Sequence, residues 1–433
     1  MKVAFHTLGC KVNQYETEAI RHQFANAGHE IVKEDDFANV YIINTCTVTN
    51  LADRKSRQFI RKSKKINPEA IVAVTGCYAQ MKPWEVAEID GVEIVIGTDE
   101  KNNLLKKVEE YFETGDKASV IKDYSQLTEY EDLGVIEAME SKSRAFVKIQ
   151  EGCNRFCSYC IIPYARGKVR SRDRKDILEE AKLLVGKGHK EIVLTGINTA
   201  LYGEEKGELK IVELLKELDE IPGDFRVRLS SLEPTVIDAK YVKKLFECRR
   251  LCHHLHLSVQ SGSDKVLAEM NRGYSRKDYL EIVEVLREHD FLYGITTDII
   301  VGFPGETEED FSDSLDIVEK AGFSKVHAFK YSRRTGTLAA SRDDQISGVI
   351  KNDRVHQLMN MAEKAREEFN AKSIGKSTRA LIEQIENGFA AGYTDNYTKV
   401  YIDCEEKNFK LNEFYSVKLI GNYKDGMMAE VEK

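Results

Sequence analysis

Glu151-Gly152-Cys153-Asn154-Arg155-Phe156-Cys157-Ser158-Tyr159-Cys160 directly follows Ala145-Phe146-Val147-Lys148-Ile149, a run that reads as a β-strand. The cysteine spacing is Cys-x3-Cys-x2-Cys. Three thiolates hold three irons of a [4Fe–4S] cube. No fourth cysteine stands nearby, so one iron keeps an open position for a ligand. The competing reading is a zinc site with a distant fourth ligand.

Downstream, five more strand-like runs follow: Glu191–Thr195, Arg226–Leu229, Leu255–Val259, Thr297–Val301 and Lys325–Phe329. Helical patterns separate them. Ile177, Ala181, Leu184 and Val185, for example, share one helix face. Six β/α units over about 143–368 predict a parallel sheet curled into a partial (β/α)6 barrel. Chemistry then gathers at the C-terminal ends of its strands.

Upstream, residues 1–112 alternate short apolar strands with helices. The strands are Val3-Ala4-Phe5, Val40–Ile43, Ile71–Val74 and Glu93–Ile96. A parallel sheet covered on both faces is expected. Cys10, Cys46 and Cys77 each sit just past a predicted strand, flanked by Gly9, Thr45 and Gly76. The C-terminal ends of an open parallel sheet line one edge, where ligands bind. Three separated cysteines can converge there, or serve as small buried fillers. Residues 113–142, with Glu129, Glu131 and Asp132, read as a charged linker. Residues 371–433 are β-rich, with turn signals at Asn387-Gly388 and Asp425-Gly426, and predict a small antiparallel barrel. The fold class is thus a multidomain α/β chain ending in a β-barrel.

The chain has 433 residues, a formal charge of −8 and no low-complexity segment, so global charge supplies no attraction to nucleic acid. No apolar run approaches the ~18 residues of a membrane span, and the N-terminus lacks a signal-peptide pattern. A cytoplasmic protein is expected, where clustered cysteines favour metal binding over disulfides. Cys248 and Cys252 lie near His253 and His254, but packing around a helix end is the simpler reading.

The motifs LGCKVNQYE (8–16) and CNRFCSYCIIPYARGKVRS (153–171) resemble the methylthiotransferases, radical S-adenosylmethionine (SAM) enzymes, over essentially the whole chain. The resemblance is strongest to the branch acting on N6-threonylcarbamoyladenosine in tRNA, beside the anticodon at position 37. The branch acting on isopentenyladenosine reads more like YGCQMN. The branch acting on a ribosomal-protein aspartate reads more like LGCxKN. The resemblance implies two [4Fe–4S] clusters, on Cys10, Cys46 and Cys77 and on Cys153, Cys157 and Cys160, and two SAM molecules per turnover. One SAM methylates a sulfur species at the first cluster. The other yields a radical that takes hydrogen from C2 of the adenine, to which the methylthio group couples. An electron donor such as flavodoxin or ferredoxin, and a C-terminal TRAM domain, are also implied. No acid/base pair or Ser/His/Asp set is evident, as expected where the cofactor carries the chemistry.

SAM contacts are expected at strand ends: Asn198, Ser231, Glu233, Gln260, Ser261 and Gly302. RNA contacts are expected from local basic patches: Arg54, Lys55, Arg57 and Arg61, then Arg166, Lys168 and Arg170, then Arg333 and Arg334. The 371–433 segment holds nine Lys/Arg against ten Asp/Glu. RNA binding there requires a one-sided basic face or stacking by Tyr393, Tyr397 or Phe414. A different class of reading is a non-catalytic iron–sulfur sensor of RNA.

Overall fold

Val40–Thr45 and Ile71–Gly76 are buried at every position, as strands covered on both faces must be. They form the centre of the first unit in a computed structural model that describes residues 1–137, 139, 143–404 and 408–432. The elements of this unit are β1 (Lys2–Thr7), α1 (Lys11–Asn26), β2 (Glu30–Val32), β3 (Val40–Thr45), α2 (Asn50–Ile66), β4 (Ile71–Gly76), α3 (Cys77–Met81), α4 (Pro83–Ala87), β5 (Ile94–Ile96), α5 (Leu104–Thr114) and β6 (Ala118–Val120). The sheet is parallel, in the order β2-β1-β3-β4-β5-β6. Alternate residues enter opposite cores: Tyr41, Ile43, Val72 and Val74 on one side, Val40, Ile42, Ile71 and Ala73 on the other.

The sheet runs on into the stretch read from sequence as a linker, since β6 pairs with β5. Beyond it, Leu127 and Ile136 are buried and the Tyr130 hydroxyl donates to the Lys148 carbonyl. This stretch is a packed strap between two units. Its periodicity is weak because each residue answers to a different neighbour.

The central unit comprises β7 (Arg144–Lys148), β8 (Gln150–Glu151), α6 (Ile162–Arg166), β9 (Arg170–Ser171), α7 (Arg174–Gly186), β10 (Glu191–Thr195), α8 (Ile211–Asp219), β11 (Arg226–Leu229), β12 (Ser231–Leu232), α9 (Ala239–Leu245), β13 (His254–Leu257), α10 (Asp264–Glu269), α11 (Arg276–His289), β14 (Gly294–Val301), α12 (Glu308–Ala321), β15 (Lys325–Lys330) and α13 (Gly348–Ala371). All six expected strands form. They make two parallel arcs, β11-β10-β7 and β12-β13-β14-β15, of an incomplete barrel. Tyr15 and Ala19 of α1 belong to its hydrophobic core, so the first two units share packing.

The last unit is a closed barrel, β16 (Ser377–Glu386), β17 (Phe389–Thr394), β18 (Lys399–Asp403), β19 (Glu413–Tyr423) and β20 (Gly426–Val431), in the order β16-β17-β18-β20-β19. Asn387 and Gly388 both have positive φ, as a tight two-residue hairpin requires. The β17–β18 loop inserts under the central barrel. Arg226 and Arg228 donate to the Tyr393, Thr394 and Asp395 carbonyls, and the Tyr397 ring lies under Arg228 at 4.6 Å.

Candidate active site

Gly152 turns the chain out of β8 with φ 73°, and a side chain there would overlap the Lys168 carbonyl. The cysteine loop that follows is pinned along its length. The Cys153 amide donates to Gly167 O, the Ser158 amide to Met270 O and the Cys160 amide to Cys157 O. Arg272 Nη1 donates to Cys157 Sγ at 3.3 Å and stands 2.7 Å from Glu233 Oε1. Glu233 accepts in turn from Asn198 Nδ2 at 2.8 Å. Two expected strand-end residues thus meet beside the cysteine loop. Asn198 Oδ1 is buried without a donor among the described residues, and an acceptor of this kind suits an ammonium group.

The second trio is assembled by small residues. At Gly9, φ is 113° and an added Cβ would come within 2.8 Å of Cys46 Cβ, so only glycine lets the two loops approach. Asn13 Nδ2 donates to the Leu8 and Thr45 carbonyls and ties the Cys10 loop to the Cys46 loop. Cys77 opens α3 at the end of β4. Arg166 reaches it from the central unit, donating through Nε to Cys77 Sγ at 3.2 Å and through Nη2 to Asn13 Oδ1 at 2.6 Å. The guanidinium is wholly buried and pairs with Glu16 at 2.9 Å and Glu151 at 2.6 Å. Lys148 pairs with both glutamates, and Lys101 with Glu16. A buried ionic knot therefore joins the two cysteine sites.

Burial pushes the Cys46 and Cys153 thiols up to about 12 and raises Cys77, Cys157 and Cys160. Such thiols ionise when a cation replaces the proton. Among the described residues neither trio draws its sulfurs within 4.8 Å of one another. Tetrahedral zinc, with ~2.3 Å bonds, holds sulfurs about 3.8 Å apart. The donor set and its spread fit a larger inorganic core, and Arg166 and Arg272 supply N–H groups to sulfur.

The other expected ligand contacts divide. Gln260, at φ 67°, lines a cavity of about 220 Å³ with Cys160, Ile162, Asp298 and Tyr331. Ser231 is half-buried, and its carbonyl accepts from Thr199. Ser261 is turned away: it is wholly buried against Ser314 and accepts from the Ser263 amide. Gly302 gives its amide to Glu306 and faces the Lys351 side chain.

The expected RNA contacts need more correction. Arg54, Lys55, Arg61, Lys168 and Arg333 are exposed, Arg333 with Nε on the Ala340 carbonyl. Arg57 is tied to Tyr78 and Glu85. Arg166, Arg170 and Arg334 are buried and out of RNA's reach. Arg170 donates to the Arg166 carbonyl, and Arg334 joins the barrel end to Thr47, Asn50 and Asp53. Arg170 Nε and Nη1 and Arg334 Nε are buried without a hydrogen-bond partner among the described residues, whereas Arg166 is paired on both sides of its guanidinium. Tyr393, Tyr397 and Phe414 are likewise engaged, with Arg144, Arg228 and Arg226. Asn13, Glu16 and Arg272 escaped the sequence reading. Asn13 and Glu16 are polar residues inside the first cysteine-bearing motif, a slight signal, whereas Arg272 lies beyond α10, far along the chain from both motifs, and carries no local signal.

Fold and site together define a protein of the radical SAM superfamily, whose family model matches residues 147–318. This class carries a [4Fe–4S] cluster and uses SAM. Residues 2–97 match the uncharacterized protein family UPF0004. The chain is 41% identical to the threonylcarbamoyladenosine tRNA methylthiotransferase MtaB of Bacillus subtilis (strain 168), over 99% of this chain and 96% of the relative. It is 42% identical to the corresponding protein of Aquifex aeolicus (strain VF5), over 95% and 98%. A tRNA-2-methylthio-N(6)-dimethylallyladenosine synthase from Acetivibrio thermocellus (strain ATCC 27405) is 36% identical, over 88% and 80%. The chain belongs to the radical SAM methylthiotransferase family. The radical SAM methyltransferase TsrM from Kitasatospora setae shares the fold at TM-score 0.61 and 15% identity, over 78% of this chain and 77% of that one. No helix among the described residues is long and apolar enough to cross a membrane.

Proposed function

We propose that this chain methylthiolates C2 of N6-threonylcarbamoyladenosine at position 37 of tRNA. The observation that carries the reading is the pair of cysteine trios joined by Arg166, in a chain aligned nearly end to end with threonylcarbamoyladenosine tRNA methylthiotransferases. Cys153, Cys157 and Cys160 would hold a [4Fe–4S] cluster that binds SAM, and Cys10, Cys46 and Cys77 a second cluster. When bound, these groups supply reductive SAM cleavage and a sulfur to be methylated and transferred.

The chain's own residues bind, orient and exclude water. Arg272 fixes Cys157 and, through Glu233, the amide of Asn198. Asn198 Oδ1 would receive the SAM ammonium. Ile161, Ile162, Ile300 and Tyr331 give the cavity beside Cys160 apolar walls, which suit a flipped-out base and keep water from a reactive carbon centre. Exposed Arg54, Lys55, Arg61, Lys168 and Arg333 would meet phosphates. A one-electron donor such as flavodoxin or ferredoxin would serve the cluster.

Mass spectrometry of tRNA nucleosides from cells lacking the gene is the test. The 2-methylthio derivative of threonylcarbamoyladenosine should vanish and its precursor accumulate. Its persistence, with loss of the dimethylallyl counterpart or of a methylthiolated ribosomal protein, would move the substrate assignment. Anaerobic protein should bind about eight irons per chain; about four would remove the second cluster. The Cys157→Ala variant should release no 5′-deoxyadenosine, and release at the normal rate would exclude the assigned SAM site.

A further inference from the structure

His256, Asp298 and His327 point into the barrel lumen. Their strand neighbours Leu255, Leu257, Ile295 and Ile299 face the opposite way, into the helical shell. Asp298 and His327 are directly paired in register. One nitrogen or oxygen from each of the three lies within 4.8 Å of the others. His256 is held between Thr296 at 2.9 Å and Asp298 Oδ2 at 3.2 Å, and Ser258 donates to the same Oδ2 at 3.1 Å, so that Oδ1 is the Asp298 oxygen left to accept. All three are only partly buried, and Asp298 also lines the cavity beside Cys160.

Lys11, the residue after Cys10, opens α1 on the same helix face as Tyr15 and Ala19, which pack into the core of the central unit, so its side chain is turned toward the barrel from the first unit. Its charge is within electrostatic reach of His254, His327 and Arg228. Lys11 makes no hydrogen bond or ion pair, and His327 no hydrogen bond, with any described residue. The lumen between the two cysteine sites thus offers two unengaged cationic or N–H donors and one carboxylate acceptor. A divalent cation on His256, Asp298 and His327 is the other occupant the set allows. The ammonium and the Arg228 guanidinium close by oppose it, because like charges in a poorly solvated space repel strongly.

We infer that this lumen is the subsite for the anionic tail of the modified base, with Lys11 and His327 receiving its carboxylate and Asp298 accepting from its N–H or hydroxyl group. The inference rests on the proposed substrate: threonylcarbamoyl carries a carboxylate, a hydroxyl and urea N–H groups, whereas a dimethylallyl tail offers none. It makes Lys11 and His327 the residues that set specificity within the family's common chemistry.

The experiment compares an anticodon stem-loop RNA carrying threonylcarbamoyladenosine with the same RNA carrying its methyl ester, under single-turnover and steady-state conditions. Wild-type enzyme should favour the acid by ~10–100-fold in kcat/KM, the range of one charge-assisted hydrogen bond. Lys11→Gln and His327→Asn should each lose ~10–100-fold on the acid and less than about threefold on the ester, because the lost partner is then the same one. Iron per chain is measured first. If Lys11→Gln disturbs its cysteine neighbour, His327→Asn, which lies on β15 and is not adjacent in sequence to any cysteine of either trio, carries the comparison. Equal losses on both RNAs, or a wild-type enzyme indifferent to esterification, would overturn the subsite. So would an extra metal equivalent that disappears in His327→Asn. A wild-type enzyme inactive on both RNAs but active on a dimethylallyl RNA would overturn the substrate reading instead, and the subsite with it.

Discussion

Arg166 shows how one side chain changes meaning between sequence and structure. In the sequence it stands with Lys168 and Arg170 and reads as part of a basic patch. In the structure it is the bolt between two cysteine sites, with Glu16, Glu151, Asn13 and Cys77 around it. Charge spacing alone cannot separate the two, because an arginine is buried by partners that lie far away in sequence. Arg166→Ala should cost roughly 3–5 kcal/mol by stranding buried carboxylates. Denaturant titration of anaerobic protein should register that loss, with protease sensitivity appearing at the junction of the first two units. Arg166→Lys keeps the charge but not the fork, and should restore stability only in part. Glu191 allows a pH test. Burial favours its neutral form, but Arg228 and Arg226 outweigh burial and hold the carboxyl far below its ordinary 4.5. A depressed folded value means the ion pair stabilises above about pH 4.5 and is lost as the pH falls below it. The melting temperature of Glu191→Gln should therefore fall less steeply with acid than that of the wild type; parallel curves would contradict this.

At the scale of elements, the sequence was most legible where periodicity was strong. All six barrel strands and the main strands of the first unit were placed, because alternation and apolar runs are local signals. The cysteines at strand ends followed from that placement. The strap after α5 was read as a linker because its anchors, Leu127 and Ile136, are single residues without a period. The basic run from Arg54 to Lys65 lies in helix α2. Thr49 caps it, Asp53 sits in its first turn, and Arg54, Lys55 and Arg61 face solvent. Trp84, the only tryptophan of the chain, is 80% exposed on α4, next to Glu85, which pairs with Arg57 of α2. If this ridge holds the RNA backbone, each of Arg54→Gln, Lys55→Gln and Arg61→Gln should lower the slope of log K against log salt by about one. Trp84 emission should change on RNA addition in the wild type and report that binding directly. Unchanged slopes would move the RNA to another face.

At the scale of the molecule, the C-terminal barrel does something its composition did not announce. In sequence its near-neutral charge argues against strong RNA attraction, and its tyrosines read as stacking candidates. They instead form a stopper beneath the central barrel: Tyr397 against His254 and Arg228, Tyr393 over Arg144, and Asn396 hooked to the Leu292 carbonyl. No local pattern reports such docking, since each contact spans more than a hundred residues. Gly294 is the point of closest approach, where a methyl group would overlap the Asn396 carbonyl oxygen, a backbone atom with little room to yield. Gly294→Ala should lower the melting temperature and increase hydrogen exchange in 393–398, while exchange in β1, β3 and β4 stays as in the wild type. The stopper also bears on the order of events in turnover. Were the RNA to lie over the cavity beside Cys160, the stopper would deny small products a way out through the base of the barrel, and 5′-deoxyadenosine should then leave more slowly with RNA bound than without it, a difference that rapid filtration would read.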